Sequence, residues 1–246
     1  MVARSVEELA GLRAAGALVR SIFERMKAAA RPGVRTADLD AMAGKLFAAA
    51  GARSAPRHFY DFPGHTCISV NEEAAHGIPG RRRLRDGDMV NIDVSVELDG
   101  YVADMGESFV VGRGRRAQQR ICDAVRRAVL EAAASARSGE SLNVIGSTVQ
   151  RVADHHGYGI VRNLGSHGVG RSLHEEPSYV PLANPAEQRT LTEGLVLTIE
   201  PFFTTGHTWV EEGRDGWTLS VAPGALVAQF EHTVIVGAEG AEIVTA

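Results

Sequence analysis

The chain has 246 residues, of which 44% are hydrophobic and 23% are charged. A globular chain of this length buries enough surface to fold without a disulfide or a structural metal. Its formal net charge of −4 excludes the strongly basic surface of a dedicated nucleic-acid binder, and Cys67 and Cys122 cannot build a disulfide framework. Neither a signal-peptide core nor an apolar run of membrane length is present, so we expect a cytoplasmic protein that binds neither DNA nor membrane.

The first two predicted elements are helices. Ser5 and Glu8 form a capping-box pattern, and apolar residues follow at helical spacing until an Arg-Pro-Gly sequence at residues 31–33 ends the helix. Thr36 is predicted to cap a second helix that ends at Gly51, a residue suited to the left-handed position after a helix.

Short β-type segments follow at residues 66–70, 89–98 and 101–111. The last two are separated by Asp99 and Gly100, a pair that strongly favours a two-residue hairpin turn. This hairpin is the most informative segment of the sequence.

From about residue 116 the order of elements recurs. A long amphipathic segment leads to a second helix break at residues 137–139, then a shorter helix ends near Gly157, and glycine-punctuated strands complete the chain. We therefore predict a single domain over residues 1–246, built from two helix-helix-sheet halves at about 5–112 and 113–240.

The predicted hairpin brings two acids together. If Leu98 faces Tyr101, then Asp93 and Asp104 lie on the same sheet face as diagonal neighbours, about 7–8 Å apart at the backbone. Two like charges at this distance are unfavourable unless a cation or a proton lies between them. Solvated acids are the alternative, but the apolar residues around Asp93 favour a metal-binding pair.

Three further candidates lie in apolar or glycine-rich segments: His167 within residues 165–170, Glu200 at the end of an apolar run, and Glu231 within residues 226–236. A glutamate in so apolar a strand is rarely buried without a partner. Each acid alone could be a salt-bridged structural residue. Together with the aspartate pair they form an oxygen-rich set with one nitrogen, which suits two bridged divalent ions better than a structural zinc.

Two histidines in loops are candidates for proton transfer or for donation to an oxyanion, although either could be structural. His76 is followed by Gly-Ile-Pro, and His174 is followed by Glu-Glu-Pro. His174 begins like an HExxH zinc motif, but Ser178 stands where the second histidine belongs, and Pro177 argues against a helix interior.

In their order along the chain, these motifs resemble those of type I methionine aminopeptidases. The matching segments are Cys67-Ile-Ser-Val-Asn71, His76-Gly-Ile-Pro79, Val90-Asn-Ile-Asp93, Ser166-His-Gly-Val-Gly-Arg171, His174-Glu-Glu-Pro177, Thr198-Ile-Glu-Pro201, Asp215-Gly-Trp217 and Gln229-Phe-Glu-His-Thr233. The similarity extends from about residue 5 to about residue 237. It implies an α+β pita-bread fold, in which two pseudosymmetric halves surround a curved antiparallel sheet and form one catalytic domain.

The resemblance also implies a ligand set for two divalent ions of Co, Mn or Fe. The ligands would be Asp93, Asp104, His167, Glu200 and Glu231, with Asp104 and Glu231 bridging the ions. Glu200 would also carry a proton toward the leaving amine.

The remaining site residues are implied in the same way. His76 would orient the N-terminal end of the substrate, and His174 would hydrogen-bond the scissile carbonyl. The methionine side-chain pocket would be lined by Phe59, Phe62, Cys67 and Trp217.

The implied activity is removal of the initiator methionine from nascent proteins when the second residue is small, by an enzyme that we expect to be a monomer. A proline-specific aminopeptidase or dipeptidase of the same fold is the alternative enzyme, but such relatives usually carry an extra N-terminal domain and this sequence starts almost directly at the catalytic fold. A catalytically inactive pita-bread peptide-binding protein would have lost metal ligands.

Arginine clusters at residues 81–85 and 113–116 are interpreted as solvated loop charge, with transient ribosome contact as the alternative.

Overall fold

The computed structural model describes all 246 residues and contains five helices and fifteen strands. The helices are Val6–Ala29 (α1), Thr36–Ala49 (α2), Ala55–Tyr60 (α3), Arg116–Ser135 (α4) and Asn143–His156 (α5). The strands are Arg53–Ser54 (β1), Cys67–Val70 (β2), Glu73–Ala75 (β3), Met89–Leu98 (β4), Tyr101–Val110 (β5), Gly159–Ile160 (β6), Ser166–Gly168 (β7), Glu175–Tyr179 (β8), Val196–Ile199 (β9), Phe202–Thr204 (β10), Glu211–Glu212 (β11), Leu219–Ser220 (β12), Val227–Gln229 (β13), His232–Val236 (β14) and Ala241–Ile243 (β15). No helix is both long and apolar enough to cross a bilayer.

The helix starts show where local sequence rules hold. At α1 the predicted capping box is confirmed: the Ser5 hydroxyl accepts from the Glu8 N–H, and the Glu8 carboxylate accepts from the Ser5 N–H. At α2 the prediction is wrong, because Arg35 rather than Thr36 occupies the N-cap position. The Thr36 hydroxyl instead donates to the carbonyl of Gly80 and accepts from its N–H, so a tertiary contact replaces the cap.

The predicted hairpin between β4 and β5 is confirmed in its register. Ser95 pairs with Asp104, as the two-residue turn requires. Asp99 and Gly100 have φ angles of 51° and 81°. Positive φ at both turn residues is the conformation that matches the twist of a tight hairpin, and glycine adopts it without steric cost.

The two helix pairs turn in the same way. Gly33 and Gly139 each follow the break after the first helix of a pair, with φ angles of 92° and 90°. The Gly33 N–H donates to the carbonyl of Leu84 and the Gly139 N–H donates to that of Leu191, both at 2.8 Å. The repeat that the sequence indicates therefore extends to individual hydrogen bonds.

The two halves meet along β5. The Asp104 N–H donates to the Thr233 hydroxyl, which donates in turn to the Asp104 carbonyl, both at 2.8 Å. Further along β5, the Glu231 N–H donates to the carbonyl of Gly106 at 2.7 Å. We call the contact between β5 and residues 231–233 the seam.

One apolar core lies between β4 and the helices α1 and α2, and a second lies between α4, α5 and the C-terminal strands.

We expect Thr233→Val to destabilise the protein, because it removes the two seam hydrogen bonds made by the Thr233 hydroxyl and leaves the buried Asp104 N–H without an acceptor. The free energy of unfolding should fall by about 2 kcal/mol. Urea denaturation measures this change, with Thr192→Val as the control because Thr192 is exposed and should shift stability by less than about 0.5 kcal/mol. Equal stability of the two variants would show that the seam does not depend on these bonds.

Candidate active site

A cavity of about 300 Å³ opens beside the seam. Its lining includes most of the residues that the sequence analysis identifies: Phe62, Cys67, His76, Asp93, Asp104, His167, His174, Glu200 and Trp217. Glu231, which is only 1% exposed, belongs to the same cluster without lining the cavity.

The candidate ligand atoms are close together. Atoms of Asp104, His167 and Glu231 all lie within 4.8 Å of one another. The Nε2 atom of His167 lies 3.2 Å from Oε1 of Glu200 and 3.9 Å from Oδ2 of Asp104. Asp93 joins this group through Ser95, whose single hydroxyl hydrogen points to Asp104 at 2.7 Å, with Asp93 as a second, longer acceptor at 3.5 Å.

Three of the carboxylates have a hydrogen-bond donor two residues away along the chain, a spacing that places both side chains on one face of an extended segment. These donor and acceptor pairs are Ser95 with Asp93 (3.5 Å), Thr198 with Glu200 (3.0 Å), and Gln229 with Glu231 (2.8 Å). None of the three donors was predicted from the sequence. The period-two spacing of a polar residue from each candidate ligand is the signal that could have identified them.

The tautomer of His167 follows from its backbone contact. Its Nδ1 atom lies 2.9 Å from the carbonyl oxygen of Gly168, and a carbonyl only accepts, so Nδ1 carries the hydrogen. In the neutral ring the lone pair of Nε2 then faces the carboxylate of Glu200. Two acceptors are favourable at this distance only with a proton or a cation between them. Burial lowers the pKa of His167, but the hydrogen bond to Glu200 and the charges of Glu200 and Asp104 outweigh burial, so the pKa is raised.

The carboxylates carry the same electrostatic signature. Burial, with a further contribution from the charge of Glu200, raises the pKa of Asp104 to about 6, although neighbouring His167 opposes the rise. The pKa values of Asp93 and Glu231 are raised well above their ordinary values, by burial first and by the nearby carboxylates second. Oε1 of Glu231 is the only buried side-chain nitrogen or oxygen atom without a hydrogen-bond partner. An oxygen-rich, mutually repelling set with an unpartnered oxygen fits a divalent cation.

His76 and His174 flank this cluster. His76 has a left-handed backbone with φ of 54°, an uncommon conformation that often marks functional positions, and burial lowers its pKa. The rings of His174 and His167 meet edge to face with centroids 4.2 Å apart. The pKa of His174 is lowered by partial burial and by the two neighbouring histidines, so His174 is a neutral imidazole.

Three of the residues predicted for the apolar pocket, Phe62, Cys67 and Trp217, line the cavity. Phe62 and Trp217 pack edge to face with centroids 5.1 Å apart, and burial raises the pKa of the Cys67 thiol, so this side chain is a neutral wall. Phe59 does not line the cavity, contrary to the expectation, and packs instead against an apolar cluster that contains Leu12. Tyr60 lines the cavity in its place.

The position of Tyr60 follows from helix α3, which the sequence analysis missed. The Ser54 hydroxyl caps this helix by accepting from the Arg57 N–H, and Pro56 lies in the first turn. A serine with a proline two residues later is a helix-start signal that could have identified α3. The helical turn directs neighbouring side chains to different surfaces, which separates Tyr60 from the preceding phenylalanine.

A buried set of carboxylates and one imidazole, beside a cavity lined by further histidines, is the arrangement of a metal-dependent hydrolase. A sequence profile of metallopeptidase family M24 matches residues 10–238, and the chain belongs to this family. The chain is 44% identical to a methionine aminopeptidase of Staphylococcus epidermidis, over 100% of this chain and 98% of that relative. The crystal structure of methionine aminopeptidase from Rickettsia prowazekii has 33% sequence identity and superposes with a TM-score of 0.95, with all of both chains covered.

These comparisons confirm the predicted resemblance, the pita-bread fold, the assignment as an enzyme and the use of divalent metal. A prolidase from Pyrococcus furiosus also superposes, with a TM-score of 0.80 and 24% identity, and this chain covers 65% of that chain. At this identity the likeness to the prolidase shows the fold alone.

We expect Mn²⁺ to bind the metal-free protein more weakly at about pH 5.5 than at about pH 7.5, because protons compete for the carboxylates whose pKa values are raised. Isothermal titration calorimetry in two buffers of different ionisation enthalpy measures both the affinity and the protons released. Glu242→Gln, at an exposed ion pair with Arg13, is the control and should not alter either quantity. An affinity independent of pH would contradict assignment of the cation to this cluster.

Proposed function

We propose that the protein hydrolyses the peptide bond that follows the N-terminal methionine of nascent proteins whose second residue is small. The observation that carries the proposal is the combination of a metal-binding cluster with an adjoining apolar pocket that contains Phe62, Cys67 and Trp217. An apolar pocket of this kind suits an uncharged thioether side chain, and the cluster beside it suits hydrolysis of the adjoining bond.

The ligand set proposed for two divalent ions consists of Asp93, Asp104, His167, Glu200 and Glu231, with Asp104 and Glu231 as bridges. The support is the unpartnered oxygen of Glu231 and the position of Asp104 between residues of both halves. Two divalent ions would supply an activated water and polarise the scissile carbonyl. The identity of the ions is proposed as Co, Mn or Fe.

The other side chains would act on the substrate directly. Glu200, which is bonded to Thr198, would carry a proton to the leaving amine. His174, as a neutral imidazole at the cavity wall, would donate to the oxygen of the scissile carbonyl, and His76 would orient the N-terminal end of the substrate. Both histidines lie in the cavity lining, which supports these roles.

A proline-specific peptidase remains the alternative enzyme. Sequence identity favours methionine removal: it is 44% to the S. epidermidis methionine aminopeptidase and 24% to the P. furiosus prolidase. A catalytically inactive peptide-binding protein is not favoured, because all five proposed ligands are present in one cluster region.

The proposed partner is the N-terminus of a nascent chain, which the protein would bind as a monomer in the cytoplasm. Contact with the ribosome through the arginines at residues 81–85 is less well supported. Arg82 pairs with Glu73, and Arg83 donates to the carbonyl of Gly33, so two of these side chains already hold loops within the protein.

We expect the metal-loaded protein to cleave Met-Ala peptides much faster than Met-Trp or Ala-Pro peptides, since the pocket is apolar and the second residue must fit beside the cluster. A norleucine side chain should still be accepted, because a hydrophobic pocket distinguishes chains of similar size by only about 1–3 kcal/mol. Mass spectrometry of the four peptides after incubation measures the rates. Preference for Ala-Pro would replace this proposal with the proline-specific alternative.

We expect His174→Ala and His167→Ala to fail for different reasons. His174→Ala should lower kcat by about 10²–10³ with little change in KM, because it removes a donor to the developing oxyanion. His167→Ala should weaken metal binding itself. Metal stoichiometry and steady-state kinetics on the two variants side by side separate these effects, and loss of metal by His174→Ala would disprove the assigned role.

A further inference from the structure

One hydrogen bond at the cavity wall is unused by the function proposed above. Nδ1 of His174 lies 2.6 Å from the phenol oxygen of Tyr60, and the two rings have centroids 5.2 Å apart. His174 therefore lies between Tyr60 on one side and the edge of His167 on the other. The phenol of Tyr60 is the hydrogen-bond partner of Nδ1 of His174. Neither ring that His174 contacts bears a carboxylate.

The backbone on both sides of this contact is fixed. The Glu175 carboxylate accepts from the backbone N–H groups of Arg171 and Ser172 at 2.6 and 2.8 Å, which holds the turn that carries His174. Asp61, directly after Tyr60, has a left-handed φ of 56°, and its N–H donates to the Arg57 carbonyl as the end of α3. The hydrogen bond between the two side chains thus joins two ordered segments.

A neutral imidazole has one donor and one acceptor nitrogen, and the partner of one nitrogen decides the role of the other. If the phenol donates to Nδ1, the ring hydrogen must be on Nε2, the nitrogen left free to donate to a substrate. If the phenol accepts instead, Nε2 has only a lone pair and would repel a developing oxyanion. A phenol O–H is a stronger donor than the N–H of a neutral imidazole, and an imidazole nitrogen is a stronger acceptor than a phenol oxygen, so the 2.6 Å contact favours donation from Tyr60 to Nδ1.

We propose that Tyr60 is a positioning residue: its phenol donates to Nδ1 of His174 and so fixes the tautomer whose Nε2–H is available to the carbonyl oxygen of the substrate. The effect of Tyr60 on the rate of hydrolysis rests on the proposed function. The tautomer of His174 does not, because it can be measured in the protein without substrate. Tyr60 lines the cavity, but the role proposed for it is exerted through His174.

Its first test is spectroscopic. A long-range ¹H–¹⁵N correlation spectrum of the metal-free protein with ¹⁵N-labelled histidine reports which nitrogen of each ring carries the hydrogen, and His174→Ala identifies the signals of His174. We expect the hydrogen on Nε2 in the wild type and a mixture of tautomers in Tyr60→Phe. A hydrogen on Nδ1 in the wild type, or identical spectra for the two proteins, would overturn the proposal.

The second test is kinetic and uses the Mn²⁺-loaded protein with a Met-Ala peptide. Tyr60→Phe should lower kcat by about tenfold, the loss expected for one hydrogen bond, and change KM by less than about twofold. Tyr158→Phe is the matched control, because the Tyr158 ring packs against His156 and Phe203 away from the cavity. It should retain wild-type kcat.

A double-variant cycle separates positioning from a general structural effect. In the His174→Ala background, Tyr60→Phe should cause no further loss of kcat, because its only route to the reaction has been removed. Additive losses would show that Tyr60 acts by another route. If the wild-type protein fails to cleave the peptide, the proposed function fails, whereas the tautomer spectrum still decides the role of Tyr60.

Discussion

Mutual repulsion among buried carboxylates is the constraint on which the rest of this structure depends. Desolvation and like charge both oppose ionisation of Asp93, Asp104 and Glu231, and flexible side chains would separate to avoid one another. They cannot separate here, because strands β4 and β5 and the residues at the seam hold their backbones in register. The rigidity of the sheet thus maintains an arrangement that is unfavourable by itself and that a divalent cation would stabilise.

The surroundings of the cluster give its members different chemical properties. A carbonyl fixes the hydrogen of His167 on Nδ1, which leaves the other nitrogen facing the carboxylates. Around the same cavity, His76 and His174 have lowered pKa values, so they are neutral groups suited to hydrogen bonding rather than to charge neutralisation. One wall is apolar, with Phe62 and Trp217 in contact. Binding of a side chain and hydrolysis of the adjoining bond are therefore served by adjacent surfaces of one cavity.

The sequence predicted the parts of the fold that depend on short-range rules. The capping box at Ser5 and the turn at Asp99 are decided by neighbours within four residues, and the register of the hairpin then follows from side-chain alternation alone. The cap of α2 and the side of α3 that faces the cavity could not be predicted in this way. Thr36 is engaged by Gly80, 44 residues further along the chain, and the departure of Phe59 from the cavity depends on a six-residue helix. Local patterns do not contain such distant contacts, although the serine cap before α3 was a readable signal.

The seam has a consequence for how the cluster is assembled. Asp104 belongs to the first half, Glu231 to the second, and the hydrogen bonds that align them form only when both halves have docked. Residues of both halves are needed to bring Asp104, His167 and Glu231 together. The hydrolytic cluster is therefore a property of the docked pair of halves, and neither half contains it alone.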